Sequence, residues 1–210
     1  MIRGFLWLAL LPLAACGGGA PSANRTAAAD PAPHPSFDPP VPTNLPDTVR
    51  VRIETEAGTM VVALDHRHAP ITTTNFVRYA DDHRFDGTTF YRTARNRWAP
   101  SHGFVQGGIA HSAKRLLPPI RLEPTSETGL RHVDGAISMA HSTPDTAMGD
   151  FVICLGAQPG LDAKRGGDKG YAAFGRVVAG MDVARRILAA PAAGERLTPA
   201  VKILRVSRAG

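Results

Sequence analysis

The chain has 210 residues, enough for one domain with extensions or two small ones, and its 43% hydrophobic content is that of an ordinary packed core. Its 24 Lys and Arg outnumber 18 Asp and Glu, giving a formal net charge of +6, but the basic residues are scattered and form no block. With no stripe of aromatic and basic residues beside them, they argue for a solvated, mildly basic surface and against nucleic-acid binding.

Residues 1–15 read as an address label: Arg3 supplies a positive start, and Phe5 to Ala15 is an apolar run. That run falls short of the roughly 20 residues a membrane span needs, and it suits a secretory signal. Residues 16–47 hold Gly, Ala, Pro, Ser and Asn with few large apolar side chains, so burial cannot offset the entropy of ordering them. The prolines at 31, 33, 35, 39, 40 and 42 make that stretch a stiff, extended tether, with a proline-rich ligand for a partner as the other reading. Folded structure, residues 48–210, starts with Val49, Val51, Ile53 and Thr55 alternating with charged residues, a period-2 strand. Ala57-Gly58 turns it back into a second strand over Thr59 to Leu64. Pro70 opens a helix, with Ile71, Phe76, Tyr79 and Ala80 as its apolar face, Thr72 to Thr74 as poor helix formers, and Phe85-Asp86-Gly87 as its end. Further strands are expected at Thr88 to Thr93, Ile120 to Leu122, Gly135 to His141, Phe151 to Leu155, Ala172 to Val178 and Val201 to Val206. A second helix carries Met181, Ala184, Ile187 and Leu188 and stops before Pro191. Many short strands with two helices inserted point to a mainly β fold, a closed antiparallel barrel capped by the helices.

The chemistry gathers between Phe90 and Gly108. One strand delivers Arg92, and a second delivers Gln106 beside Gly107 and Gly108. A guanidinium donates several hydrogen bonds in a fixed fork and keeps its charge, which suits work on a peptide group. The structural alternative is an arginine that ties two strands together through a carboxylate. Other constellations are weaker. His66 and His68 lack a Cys or carboxylate partner at metal-ligand spacing, so no metal is expected. His102, His111, His132 and His141 are dispersed, and neither a nucleophile elbow nor a phosphate loop is present. Cys154 on an apolar strand reads as a small core residue.

Two resemblances sharpen this. Leu13-Ala14-Ala15-Cys16 resembles the lipobox of bacterial lipoproteins, which implies lipidation of Cys16 and a lipid-anchored, periplasm-facing protein of the cell envelope. Gly17, where some bacteria use Asp to retain lipoproteins in the inner membrane, favours the outer membrane. Asn75-Phe76, Phe85-Asp86-Gly87-Thr88-Thr89-Phe90-Tyr91-Arg92 and Gln106-Gly107-Gly108 resemble the signature of cyclophilin-type peptidyl-prolyl cis-trans isomerases. So do Gly135 to Ala140, Phe151 to Ile153, and Phe174-Gly175-Arg176-Val177 with Gly180-Met181, all in the family's order over Val49 to Val206.

The resemblance implies a closed eight-stranded barrel with a helix over each open end, no cofactor, and an outer groove for a prolyl peptide. Arg92 falls on the catalytic arginine, Gln106 on the glutamine that helps hold it, and Ala140 on a small residue under the substrate backbone. Leu161, followed by Asp162, falls on an apolar pocket position, and Tyr171 where many members have His. Departures are as plain. The loop between Arg92 and Gln106 is longer than usual, Phe104 replaces Met and Gly103 replaces Phe. His141 replaces an Asn that bonds the peptide backbone, Asp150 a Gln, Val152 a pocket Phe, and Gly160 an aromatic. Phe104, Val152 and Leu161 are then the expected wall for the proline ring, wider and less aromatic than usual. Trp98 either folds back to cover it or lies on the surface against Pro100. Asp150 either pairs with Arg92 and occupies it, or faces solvent and favours peptides carrying Lys or Arg. The expected protein is a monomeric isomerase of unfolded or translocating proline-containing polypeptides; a catalytically weak binding module or an envelope scaffold are the alternatives.

Overall fold

The computed structural model describes residues 44–110 and 112–209. The signal peptide, Cys16 and the tether as far as residue 43 lie outside the described residues. The alternation at the start of the fold is realised as β1 (Thr48–Thr55), whose Val49, Val51, Ile53 and Thr55 point inward while Arg50 and Arg52 stay in solvent. Thr55 closes the turn with its own hydroxyl, donating to Gly58 O at 2.7 Å and accepting from Ala57 N at 3.1 Å. β2 (Gly58–Asp65) then pairs with β1 along its whole length.

The remaining strands are β3 (Thr89–Arg95), β4 (Gly103–Gly108), β5 (Ala136–Met139), β6 (Asp150–Leu155), β7 (Ala172–Ala179), β8 (Ala192–Ala193) and β9 (Arg196–Arg208). All pairings are antiparallel, in the order β1-β2-β7-β5-β6-β4-β3-β9, and β1 pairs with β9 to close the ring. This is the expected eight-stranded barrel, with β8 as an added two-residue arm on β9. Closure removes the unpaired edges a sheet would otherwise present.

Two helices cover the ends. α1 (Pro70–Asp81) follows the C-terminal end of β2, whereas the Gly58 end of β2 meets Val183 of α3 (Met181–Ala189). Helix α1 is buried nearly all round rather than on one face, which is how the threonine run is tolerated: Thr72, Thr73 and Thr74 are packed against neighbours. Its first turn has no side-chain cap of its own; Glu123, a distant buried carboxylate, accepts from Ile71 N at 3.1 Å and Thr72 N at 2.8 Å. Orphan amides and the positive end of the helix are both satisfied by that one group. Phe76 joins Phe85, Phe151 and Phe174 in an aromatic cluster at 4.9, 5.3 and 5.4 Å between ring centres.

Several boundaries differ from the sequence reading. α1 stops at Asp81, before the Phe85-Asp86-Gly87 segment, because residues 82–87 run as turns. Ile120 to Leu122 is no strand; only Ile120 makes a bridge, to Ala147, and Leu122 N bonds the Asp145 side chain instead. The last strand starts at Arg196 rather than Val201, since the turn at Gly194-Glu195 folds β8 back onto it. A four-residue helix, α2 (Thr125–Thr128), and a 3-10 turn at Pro159–Leu161 were not anticipated.

Candidate active site

Arg92 reaches the outer surface of the barrel through a fault in the ladder. Between Phe90 and Arg92 the register of β3 slips on both sides: against β4 it leaves Tyr91 as an extra residue, whereas against β9 Phe90 pairs with Val201 and Arg92 with Arg196, so there the extra residues lie on β9. Such a bulge re-aims side chains. Phe90 points into the core and Thr93 is buried, while Tyr91 and Arg92 are both partly exposed. Opposite Arg92 stands Gln106 on β4, opposite Gln106 stands Val152 on β6, and opposite Val152 stands Ser138 on β5. The site is thus laid out along one cross-strand row.

The guanidinium is held on two sides. Nη1 donates to Gln106 Oε1 at 2.8 Å, and Nε and Nη2 both reach Glu195 Oε2, at 2.8 and 2.7 Å. Its plane approaches the Phe104 ring, 5.1 Å from the ring centre. The side chain remains 42% exposed. A guanidinium has five N–H bonds, so hydrogens on Nη1 and Nη2 are left over for a ligand. Both sequence readings of Arg92 therefore hold something. A carboxylate does hold it, from the turn at Gly194-Glu195 between β8 and β9, and it is also held by the glutamine beside a cleft.

Gln106 is fixed at both ends, since its Nε2 donates to the Tyr91 hydroxyl at 2.9 Å. The Tyr91 hydroxyl in turn donates a hydrogen bond to Asp150; burial first, and then that carboxylate, push the tyrosine pKa far above its usual 10. Asp150 is only 6% exposed, and its Oδ1 accepts from Ala110 N at 2.8 Å. Neither expectation for Asp150 is met. It makes no ion pair with Arg92 among the described residues, and it does not face open solvent. It reaches the arginine indirectly, through Tyr91 and Gln106.

Beside this relay lies a cleft of about 380 Å³ lined by Gln106, Ala140, His141, Ser142, Thr146, Met148 and Asp150. Four of the sequence-predicted residues therefore share one cavity. His141 stacks on Tyr171, 4.5 Å between ring centres, and its Nε2 sits 3.0 Å from Gly170 O. Its Nδ1 is buried without a partner among the described residues, and burial holds its pKa below the usual 6.5 against the opposing pull of Gly170 O, Asp168 and Asp145. Leu161 accepts from Tyr171 N through its carbonyl at 2.9 Å, which joins the 3-10 turn to the same wall.

The expected proline wall is less united. Phe104 lies under Arg92, Val152 is buried beside Gln106 in the ladder, and Leu161 stands on its turn; none of the three lines the cleft. At Gly160 an added Cβ would meet nothing within 4 Å among the described residues, so that side is open. Trp98 does not fold back: it is 87% exposed, with the Arg97 guanidinium 5.3 Å from its ring.

Sequence reasoning missed Glu195 and Tyr91, and it missed a buried constellation beneath the row. His132 Nδ1 lies 2.7 Å from Asp162 Oδ1, and its Nε2 lies 2.9 Å from Ser138 Oγ. These are the residue types of a hydrolytic triad, but Ser138 is wholly buried and no substrate can reach its hydroxyl. The group is a structural tie. With Gln158 N bonded to His132 O at 2.7 Å, it fastens the turn carrying Leu161 to the sheet. Cys154 is buried nearby, and its thiol is pushed up to about 12, first by burial and then by the charges of Asp162 and Asp134, so it stays protonated and unreactive.

Comparison with known proteins agrees with this geometry. A family model described as cyclophilin type peptidyl-prolyl cis-trans isomerase/CLD matches residues 50–208. The chain is 36% identical over 143 residues to peptidyl-prolyl cis-trans isomerase A of Dickeya dadantii, covering 67% of this chain and 71% of that one. It is 34% identical over 142 residues to a peptidyl-prolyl cis-trans isomerase of Acinetobacter baylyi, covering 67% and 72%. Among solved structures, a cyclophilin-type isomerase of Cryptosporidium parvum superposes with a TM-score of 0.64 at 19% identity, over 78% of this chain and 98% of that one, which shows the shared fold. The chain belongs to the cyclophilin-type peptidyl-prolyl cis-trans isomerase family.

Proposed function

We propose that this isomerase acts on proline-containing segments of unfolded or translocating proteins in the bacterial envelope, with Arg92 as its catalytic residue. An X–Pro bond turns over a barrier of about 18–20 kcal/mol because the nitrogen shares its lone pair with the carbonyl. At the twisted geometry that sharing is lost and the nitrogen becomes pyramidal and basic. A donor aimed at it stabilises the twisted form more than either planar form, which is what catalysis requires. Each 1.36 kcal/mol gained in this way is roughly tenfold in rate.

The observation that carries this reading is the state of Arg92: held by Gln106 and Glu195, yet 42% exposed beside a cleft, with Nη hydrogens left over. No proton changes hands and no cofactor enters. Gln106, Ala140, His141 and Asp150 line the groove for the peptide backbone, with Phe104, Val152, Leu161 and Tyr171 around it. The lipobox-like end at Cys16 supports a lipid anchor, and the Pro-rich stretch after it a tether. A weakly catalytic binding module is the second reading, favoured by the open side at Gly160.

A cis-to-trans assay on a short prolyl peptide tests the proposal. The full chain should accelerate the reaction and Arg92→Ala should lose at least tenfold in kcat/KM. Absence of acceleration by the intact chain leaves the binding module. Metabolic labelling with palmitate should mark the wild-type chain and not Cys16→Ala; an unlabelled wild type removes the anchor.

A further inference from the structure

Glu195 lies 103 residues along the chain from Arg92 and outside every motif that drew attention to the site. It occupies the second loop position of the β8–β9 turn, after Gly194, whose φ of 61° is the left-handed value such tight hairpins need at that point. The backbone there is pinned. Glu195 O accepts from Thr93 N at 2.7 Å, and the flanking residues Ala193 and Arg196 pair across the hairpin. The carboxylate is therefore delivered by a fixed support to one edge of the guanidinium.

We propose that Glu195 is a positioning residue for the isomerase reaction, setting the direction in which Arg92 presents its free N–H groups; this rests on the reading of Arg92 given above. Two features of the ladder make the carboxylate necessary. Arg92 is directly opposite Arg196 on β9, and like charges facing each other across strands repel. Glu195, between them in the chain and on the same surface, offsets that repulsion and draws the guanidinium to its own side. Gln106 alone holds only Nη1, which leaves the side chain free to rotate about that single contact. With Nε and Nη2 both on Glu195 Oε2, the fork is fixed at two edges, and the remaining hydrogens point one way. The pair is also poorly placed to stabilise the fold. Its two side chains are 42% and 56% exposed, and ion pairs so exposed contribute little to stability. Its consequence therefore lies in the geometry of Arg92.

The test compares wild type, Glu195→Ala, Glu195→Gln and Arg92→Ala in the full chain, on one prolyl peptide. Glu195→Ala should lower kcat about tenfold with KM within twofold, because orientation matters in the twisted state and not in ground-state binding. Glu195→Gln keeps an acceptor oxygen at the same place and should restore most of the loss. Adding Glu195→Ala to Arg92→Ala should cost nothing further, since Glu195 acts through the arginine. In nitrogen-proton NMR spectra the Arg92 Nε–H signal should be sharp in wild type and Glu195→Gln, and exchange-broadened in Glu195→Ala. Wild-type kcat in Glu195→Ala overturns the inference alone, and a faster variant overturns it by showing the carboxylate to be a brake. An Arg92→Ala chain as active as wild type overturns the reading of Arg92 and takes this inference with it.

Discussion

Mild acid should loosen this barrel through His132. The side chain is 0% exposed, between the Asp162 carboxylate on Nδ1 and the Ser138 hydroxyl on Nε2. A carboxylate only accepts, so Nδ1 carries the proton of the neutral ring and Nε2 accepts from Ser138. A second proton would turn Nε2 into a donor, reverse the Ser138 hydroxyl, and place a charge where water does not reach. Burial accordingly holds the His132 pKa below 6.5, and its bond and charge interaction with Asp162 oppose that only in part. In the unfolded chain the imidazole takes its proton near pH 6.5. Between that pH and the lower folded value the unfolded chain binds more protons, so stability falls as pH falls, by about 1.4 kcal/mol per pH unit for each such group. The contribution is complete above about pH 6.5 and is lost progressively below it. His141, also depressed by burial, adds a slope of the same sign. Carboxylates titrate near pH 4, so the interval from 6.5 to 5 isolates the histidines. Urea unfolding of wild type and His132→Asn at several pH values in that interval measures the effect. The asparagine amide can still donate to Asp162 but takes no proton, so its slope should be shallower by about one proton. Equal slopes in the two proteins would refute the assignment of a buried, neutral His132.

Two substitutions test the backbone and the groove. Gly103 has φ 141°, and a Cβ there would lie 1.9 Å from Ala94 O, so Gly103→Ala should cost about 3 kcal/mol in urea unfolding; a cost under about 1 kcal/mol would contradict the close β3–β4 approach. Gly160→Trp meets nothing within 4 Å at its Cβ, so the unfolding midpoint should hold while a proline-containing peptide binds severalfold more tightly by calorimetry, an aromatic contact being worth roughly 1 kcal/mol; unchanged affinity would place the peptide away from that turn.

The strands were legible wherever one face is buried and the other wet, because a period of two survives in the residue order: β1 is the clear case. Buried strands such as β6 were legible as apolar runs between turns. The false strand at Ile120 to Leu122 had the right apolar residues, but among the described residues its ladder pairing is confined to the Ile120–Ala147 bridge, and strand pairing is not written locally. Arg92 and Gln106 were visible as residue types. Their being neighbours follows from a hairpin whose register is set by the Tyr91 bulge, which one extra residue in β3 conceals. Glu195 carried no signal at all, since nothing near it in the chain says which arginine the β8–β9 turn will meet. The histidines looked dispersed because their partners are: Asp162 lies 30 residues from His132, and only the fold brings the two together.

The bulge also explains how a stable barrel can host a site without loosening itself. Phe90 must stay inside, where its ring meets Phe151 at 5.6 Å, and in a regular strand Arg92 would then share its side of the sheet. One extra residue breaks that parity. It puts Tyr91 and Arg92 on the outer surface together, hydroxyl beside guanidinium, with Gln106 bonded to both. The row then runs from Arg92 through Gln106 and Val152 to Ser138, fastened at one end by Glu195 and at the other by the His132 tie. Every member except Glu195 and the tie itself sits on a paired strand, so their spacing is that of the ladder and not of a mobile loop. Deleting the extra residue would therefore turn the arginine inward among apolar side chains, where its unpaired charge would destabilise the barrel.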